Sequence, residues 1–250
     1  MSAIEANLQA VRQRIFDAAR RCGRSAMAIT LLAVSKTRPA RDVLTAALAG
    51  QRDFGENYAQ EGVDKILVLR ALAQQGMLPE NASLIWHFIG PLQGNKTRLV
   101  AEHFDWAHSI ERLKIAERLS AQRPARLPPL QVCVQVNVSG EASKSGCAPE
   151  EALDLCLAVA SLPRLKLRGL MCIPAPARDF AAQCRLFSQL RQRFMEIKTR
   201  CPELDTLSMG MSGDLEAAVQ SGGTLVRIGS AIFGRRTNDI DASTGVGNNS

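Results

Sequence analysis

The chain has 250 residues, of which 46% are hydrophobic and 22% are charged, and its formal net charge is +7. This length suits a single α/β barrel, and the composition excludes a low-complexity protein or a solenoid of short repeats. Aromatic residues make up 4% of the chain and are not interleaved with blocks of lysine and arginine, which argues against nucleic-acid binding. The positive charge is better suited to small anionic ligands.

The N-terminal segment predicts an amphipathic helix, because Ile4, Leu8, Val11 and Ile15 share one face. Charged residues interrupt this segment, so it lacks the apolar run of a signal peptide. No apolar stretch approaches the roughly 18 residues of a membrane span, and we expect a cytoplasmic protein. The seven cysteines are odd in number and form no Cys-x-x-Cys pair, so neither a disulfide framework nor a metal site is expected.

Eight β-rich segments then alternate with helical patterns. The predicted strands are 29–34, 53–55, 84–89, 105–108, 130–138, 165–172, 204–209 and 224–228. Helical periodicity is clearest at 56–75, 150–161 and 180–200. This alternation predicts a single (β/α)₈ TIM barrel, an α/β fold, with an extra N-terminal helix. We expect the barrel to occupy 1–234 and a disordered tail to occupy 235–250, because the tail has almost nothing to bury.

Lys36 follows the first predicted strand, in Ile29-Thr-Leu-Leu-Ala-Val-Ser-Lys36-Thr-Arg-Pro39. In a barrel of this kind, functional side chains gather where strands end. An apolar setting favours the uncharged amine, the form that attacks a carbonyl, so Lys36 is a candidate Schiff-base lysine. The alternative is a solvated surface lysine. Asn57, after the second strand, is a further candidate binding residue at the same end.

The loops after the seventh and eighth strands form the usual phosphate site of this barrel. Ser212 precedes a predicted helix at 213–221, and Gly229 with Ser230 precedes a short helix at 231–234. The alternative assigns them as a helix cap and a turn, but their occurrence in both loops favours a phosphate group. We expect Asp214 and Glu216 to face solvent, because inward-pointing carboxylates would repel an anion.

A phosphate site across the barrel from an amine is the arrangement that pyridoxal 5'-phosphate requires. Arg227, on the eighth predicted strand, would then lie near the ring nitrogen, where a cation disfavours protonation of the ring. The alternative for Arg227 is a structural ion pair.

Seven segments carry the most specific patterns of the chain. They are Ala33-Val-Ser-Lys-Thr-Arg-Pro39, Phe54-Gly-Glu-Asn-Tyr58, Trp86-His-Phe-Ile-Gly-Pro-Leu-Gln-Gly-Asn-Lys96, Val136-Asn-Val138 with Ser143-Lys-Ser-Gly146, Arg168-Gly-Leu-Met-Cys172, Leu207-Ser-Met-Gly-Met-Ser-Gly-Asp214, and Arg227-Ile-Gly-Ser-Ala-Ile-Phe-Gly234. With these segments in the family's order, the chain resembles the YggS/PROSC family of pyridoxal-phosphate homeostasis proteins from about Ile4 to Gly234. One departure, Met171-Cys172-Ile-Pro174, affects no proposed ligand.

The resemblance implies a fold-type III barrel, similar to the N-terminal domain of alanine racemase, with pyridoxal 5'-phosphate held as an aldimine on Lys36. It further implies phosphate contacts from Ser212, Gly229 and Ser230, and a ring-nitrogen contact from Arg227. A protein of this family would carry or buffer the cofactor for apoenzymes and contribute to vitamin B6 and amino-acid homeostasis, without substantial catalysis.

The alternative function is a single-domain amino-acid racemase, which needs a second acid or base facing the lysine. Tyr58 and His87 are the candidates, but each is expected to pack or to hydrogen-bond locally. Because we recognise no added dimerisation domain, we expect a monomer. Lys144, in a glycine-flanked loop, is a candidate lid residue, with a solvated loop as the alternative. The run from Gly90 to Thr97 has the wrong spacing for a nucleotide-binding P-loop.

Overall fold

The computed structural model describes residues 1–79, 83–141, 145–177 and 179–234. All eight strands pair in parallel and in chain order, and the eighth returns to the first to close a barrel. The strands are β1 (Thr30–Val34), β2 (Asp53–Glu56), β3 (Ile85–Phe88), β4 (Trp106–Ile110), β5 (Leu130–Gln135), β6 (Leu165–Met171), β7 (Thr206–Ser208) and β8 (Leu225–Ile228). The predicted (β/α)₈ architecture is therefore confirmed.

Helices alternate with the strands and cover the outside of the barrel. They are α1 (Ala3–Arg21), α2 (Ala40–Leu48), α3 (Ala59–Gln74), α4 (Thr97–His103), α5 (Leu113–Gln122), α6 (Ala152–Ala160), α7 (Phe180–Lys198), α8 (Leu215–Gln220) and α9 (Ser230–Phe233). Most of the buried apolar side chains lie between the strands and these helices. In the described part of the chain, no helix is both long enough and apolar enough to cross a membrane.

The predicted extra helix at the N-terminus is present as α1. The Ser2 hydroxyl accepts a hydrogen bond from the Glu5 amide at 3.2 Å and so caps its first turn. Leu8, Val11 and Ile15 are buried, as their spacing predicts. This face packs on α2, α8 and α9. Helix α1 therefore contacts helices from both the beginning and the end of the chain that forms the barrel.

Several element boundaries differ from the sequence-based predictions. Residues 56–58 are not helical, because the buried Glu56 side chain is hydrogen-bonded to the loop after β1 and stays in strand β2. Strand β5 ends at Gln135, after which Val136 makes an isolated bridge to Cys147. Helix α8 starts later than expected, at Leu215, whereas α9 starts earlier, at Ser230. The predicted tail, 235–250, lies outside the described residues.

The inside of the barrel holds a small apolar cluster and a chain of polar side chains. Leu32, Ile89 and Leu225 form the apolar cluster. The polar chain contains Asp53, His87, His108, Ser208 and Arg227, which come from five different strands.

The direction of hydrogen bonding along this polar chain follows from its two ends. An arginine can only donate and a carboxylate can only accept. Arg227 Nη1 therefore donates to the Ser208 hydroxyl at 2.9 Å, and that hydroxyl donates to His108 Nδ1 at 2.8 Å. His108 Nε2 donates to His87 Nδ1 at 2.9 Å, and His87 Nε2 donates to Asp53 at 3.1 Å. A neutral His108 satisfies every bond in this chain.

Burial lowers the pKa of His108 well below the ordinary value of 6.5, and the neighbouring His87 and Arg227 lower it further. The folded protein thus keeps His108 neutral at a pH where the unfolded chain binds a proton. Because only the unfolded state takes up this proton, the free energy of unfolding must fall as the pH drops below about 6.5.

We predict that replacing His108 by Asn reduces the pH dependence of stability between pH 7.5 and 5.5. One histidine contributes at most about 1.4 kcal/mol per pH unit to the free energy of unfolding, and the variant should lose that slope even if it is less stable overall. Chemical denaturation at four pH values measures both slopes. His103→Asn, which changes a partly exposed histidine on α4, is the matched control. Equal slopes in H108N and wild type would contradict the prediction.

Candidate functional site

A cavity of about 560 Å³ opens at the carboxyl ends of the barrel strands. This is the end at which barrels of this type place their binding sites. All six residues that the sequence singled out line the cavity: Lys36, Asn57, Ser212, Arg227, Gly229 and Ser230. The other described lining residues are Val34, Arg38, Ile89, Ile173, Met211, Gly213, Phe233 and Gly234.

These residues come largely from one side of the barrel. Because β8 is hydrogen-bonded to β1, the loop that carries Lys36 lies beside the loop that carries Gly229. A Cβ atom at Gly229 would lie 3.2 Å from the Val34 carbonyl oxygen, so glycine permits this close approach. The expectation that the lysine lies across the barrel from the phosphate loops is therefore wrong: the two parts of the site are neighbours.

Lys36 is partly exposed and sits two residues after the end of β1. The preceding Ser35 is fully buried, and the following Thr37 has a positive φ of 63°. A β-branched residue in this left-handed conformation is uncommon and costs on the order of 1 kcal/mol or more. The loop thus turns sharply at the residue that carries the amine.

Asn57 is held by a very close backbone contact with the loop after β3. A Cβ atom on Gly90 would lie 2.1 Å from the Asn57 carbonyl oxygen, so glycine is required there. The Ser109 hydroxyl donates to the Gly90 carbonyl at 2.5 Å and fixes that loop in turn. The Asn57 Oδ1 atom is buried and accepts no hydrogen bond from the described residues. A buried acceptor in a cavity wall can bind a ligand donor.

The two serine loops meet, and α1 supports both of them. Ser212 and Ser230 have their hydroxyl oxygens 3.5 Å apart. The Ser212 carbonyl accepts a hydrogen bond from Arg14 Nη2 at 3.1 Å. Asn7 donates to the carbonyl of Ile232 at 2.9 Å, within the short helix α9 that Ser230 begins. The N-terminal helix therefore fixes the spacing of the hydroxyls, which the sequence alone did not indicate.

Two carboxylates near these loops are held by partners within the protein, and Asp214 does not face solvent as expected. Asp214 is partly buried, and it accepts a bond from the Met211 amide at 2.5 Å instead of facing solvent. Burial raises its pKa, an effect that the Met211 amide and Arg227 oppose. Glu216 pairs with Arg14 through bonds of 2.9 and 3.0 Å. Neither is among the described residues that line the cavity, so neither places a negative charge against an anion there.

Arg227 is 4% exposed, and its guanidinium is oriented by two hydrogen bonds. Nη1 donates to Ser208, and Nη2 donates to the Cys172 carbonyl at 2.8 Å. Burial lowers its pKa, yet a guanidinium remains charged at neutral pH. Its hydrogen-bond partners are a hydroxyl and a carbonyl, and no carboxylate of the described residues forms an ion pair with it, so the alternative of a structural ion pair is not supported there.

Some other candidates lie outside the cavity. Tyr58 is 55% exposed at the start of α3, and His87 is buried in the barrel interior.

Arg38, which was not among the predicted site residues, lines the cavity and donates to the Gly234 carbonyl at 2.5 Å. Its position two residues after Lys36 was the available signal. Lys144 lies outside the described residues, so its lid role stays a prediction.

The chain matches the family described as the alanine racemase N-terminal domain, over residues 1–237. It is 58% identical over 236 residues to the pyridoxal phosphate homeostasis protein of Escherichia coli K12, a match that covers 94% of this chain and 98% of the relative. The protein of the same name from Pseudomonas aeruginosa is 56% identical over 243 residues, covering 97% of this chain and all of the relative.

Solved structures agree with these sequence matches. PipY from Synechococcus elongatus, with pyridoxal phosphate bound, superposes with a TM-score of 0.76 at 33% identity and covers 92% of this chain and 100% of PipY. Alanine racemase from Corynebacterium glutamicum, at 16% identity and a TM-score of 0.63, shares the fold over 63% of its own length. The chain therefore belongs to the family of pyridoxal phosphate homeostasis proteins.

Proposed function

We propose that this protein binds pyridoxal 5'-phosphate through Lys36 and carries or buffers it, without substantial catalysis of its own. The observation that supports this most directly is the single cavity that brings together an amine, two serine hydroxyls and an oriented guanidinium. Its volume of about 560 Å³ lies within the range of small-molecule sites, which is roughly 300–1,000 Å³.

The residues present suit the chemical groups of this cofactor. The aldehyde that it supplies condenses reversibly with an amine, with loss of one water. Lys36 provides the amine, and Ser212 and Ser230 provide hydroxyl donors for the phosphate. The first amides of α9 have no carbonyl partner within the helix and can add to this group of donors. Asn57, which follows β2, adds a buried hydrogen-bond acceptor, its Oδ1 atom.

Arg227 determines which form of the ring nitrogen the site accepts. A guanidinium has five donor hydrogens and no acceptor, and two of its nitrogens already donate to Ser208 and Cys172. A nitrogen that faces Arg227 must therefore be the acceptor, without a proton of its own. An unprotonated ring withdraws electrons weakly, which suits storage of the cofactor better than removal of a substrate proton.

The cavity also offers little for acid–base chemistry. Besides Lys36, the described polar side chains that line it belong to arginine, asparagine and serine. None of these is a good general base at neutral pH, whereas a racemase needs a proton acceptor on each face of its substrate. The names of the relatives, which refer to homeostasis, point the same way. We further propose that the protein acts in the cytoplasm, as a monomer, and delivers the cofactor to apoenzymes.

We predict that borohydride reduction of the protein loaded with pyridoxal 5'-phosphate leaves a stable adduct on Lys36. Peptide mass mapping after reduction locates the adduct. Lys36→Ala should lose at least nine-tenths of the total cofactor label on the protein and the yellow colour of the loaded protein, while Lys114→Ala, which removes an exposed lysine on α5, should retain both. An adduct confined to other lysines in the wild-type protein would refute the assignment of Lys36.

We predict that the serine hydroxyls contribute to affinity only when the ligand carries a phosphate. Removing hydrogen bonds to a charged group typically costs about 1.5–3 kcal/mol, so the double variant S212A/S230A should bind pyridoxal 5'-phosphate about 10- to 100-fold more weakly. Its affinity for pyridoxal, which lacks the phosphate, should change by less than about threefold. Equilibrium titration of both ligands measures this contrast. Equal losses for the two ligands would place the phosphate elsewhere.

A second candidate function, a single-domain racemase, is favoured by the match to the alanine racemase N-terminal domain. We predict that it fails a direct test: the loaded protein should not exchange the α-hydrogen of L- or D-alanine for solvent deuterium. Proton NMR over a day follows the α-hydrogen signal, with K36A as the blank. Exchange that occurs in wild type and stops in K36A would establish catalysis and overturn the carrier proposal.

A further inference from the structure

A buried group of charges lies directly behind the lysine loop, between the barrel wall and α3. We call Glu56, Glu61 and Lys65 the charged cluster. Lys65 is 5% exposed and Glu56 is 0% exposed, although lysine and glutamate are rarely buried. None of the three is among the described residues that line the cavity, and the function proposed above does not use them.

Lys65 is fully engaged by this arrangement. Its ammonium has three hydrogens, and it donates to Glu56 at 2.8 Å, to Glu61 at 2.6 Å and to the Ser35 carbonyl at 2.6 Å. Every donor of the ammonium is therefore already hydrogen-bonded. Lys65 is a structural cation rather than a second anchoring amine.

The charged cluster holds the backbone on both sides of Lys36. On the N-terminal side, the Ser35 carbonyl accepts from Lys65, and the Ser35 hydroxyl donates to Glu56 at 2.6 Å. On the C-terminal side, the Thr37 amide donates to Glu61 at 2.6 Å. Lys36 is thus the residue between two tethered neighbours, both of which are tied to the same ammonium.

This tethering stabilises an unfavourable backbone conformation at Thr37. Thr37 has a φ of 63°, in the left-handed region that a β-branched residue avoids. Such a conformation persists only where the surroundings hold it. The hydrogen bond from the Thr37 amide to the Glu61 carboxylate forms in this conformation and supplies part of that restraint.

Burying these charges is unfavourable for stability, which points to a role beyond packing. Moving an ion pair out of water costs several kcal/mol, and apolar residues often replace a buried pair without loss of stability. Burial raises the pKa of Glu56 even though Lys65 and Ser35 favour its ionised form. Its second oxygen, Oε2, is buried without a hydrogen-bond partner among the described residues. What the charges supply is a directional contact with each neighbour of Lys36.

We propose that the charged cluster is the positioning device for Lys36: it fixes the backbone at Ser35 and Thr37 so that the amine is presented to the cavity. The inference rests on the proposed function of Lys36 as the cofactor anchor. In that reaction the uncharged Lys36 amine forms a C=N double bond with the aldehyde carbon, the C=O bond breaks, and the oxygen leaves as water with the two amine hydrogens. The charged cluster touches none of the reacting atoms and acts through the lysine loop.

The decisive variant is Glu61→Ala, because its side chain is 30% exposed and its removal leaves the buried Lys65–Glu56 pair in place. The protein should therefore fold. The variant loses the Thr37 contact, so stopped-flow absorbance should show at least a tenfold slower attachment of pyridoxal 5'-phosphate to Lys36. Glu61→Gln, whose amide oxygen can still accept from the Thr37 amide, should recover part of the rate.

Asp64→Ala provides the matched control on the same helix. Asp64 is exposed and accepts a bond from Gln60 at 2.9 Å, away from the charged cluster. The D64A variant should attach the cofactor at the wild-type rate. Thermal unfolding of the variants separates stability from positioning, since a merely structural Glu61 would lower the melting temperature and leave the attachment rate unchanged.

Borohydride mapping gives a second readout that is independent of rate. In E61A, and more strongly in Lys65→Met if that variant folds, a larger share of the trapped cofactor should appear on lysines other than Lys36. A rate and an adduct distribution in E61A equal to those of D64A would overturn the positioning role. Absence of any Lys36 adduct in the wild-type protein would instead refute the proposed function, so the two failures are distinguishable.

Discussion

The pairing of β8 with β1 is the constraint on which the site depends. In this pairing Leu32 lies opposite Arg227 and Ala33 lies opposite Ile228, so the residues that follow each strand emerge side by side. The loop with Lys36 and the loop with Ser230 are about 190 residues apart in the chain, yet barrel closure makes them neighbours. Without closure, the amine and the serine hydroxyls would belong to the two outer edges of an open sheet.

Around the pairing of β8 with β1, polar contacts orient side chains and loops that the apolar core alone could not orient. Arg227 is held from inside the barrel by Ser208 and by the Cys172 carbonyl. The lysine loop is held from outside the strands, through contacts with α3. Hydrophobic packing is non-directional, whereas each of these hydrogen bonds specifies a direction and a distance. The two sets of contacts approach the same cavity from opposite sides of the barrel wall.

The fold was largely predictable because its signal is repeated eight times along the chain. The cavity residues were predictable because strand ends converge in this fold, so Lys36 and Ser230 could be placed without knowing any side-chain contact. The prediction that Lys36 lies across the barrel from the loops after β7 and β8 was wrong, because the alternation of strands and helices does not indicate which part of the barrel rim a ligand occupies.

What the sequence could not indicate were particular side-chain contacts, both local ones and those between residues far apart in the chain. Asp214 was expected in solvent, yet a three-residue turn directs its carboxylate to the Met211 amide. His87 could be assigned to a strand, but its partners Asp53 and His108 come from other strands. Lys65 reads as an ordinary helical lysine four residues after a glutamate, and only the packing of α3 on β2 reveals that it is buried.

The N-terminal helix α1 supports the cavity although it contributes no side chain to its described lining. Through Arg14 and Asn7, α1 contacts the backbone of the Ser212 loop and of α9, which Ser230 begins, from outside the repeating β/α units. A loop that is ordered before the ligand arrives loses less conformational entropy on binding, and affinity rises accordingly. Residues that precede the first strand thus support the cavity. A shortened chain that starts at β1 would keep every side chain of the cavity and would still have to order the segments that carry Ser212 and Ser230 at each binding event.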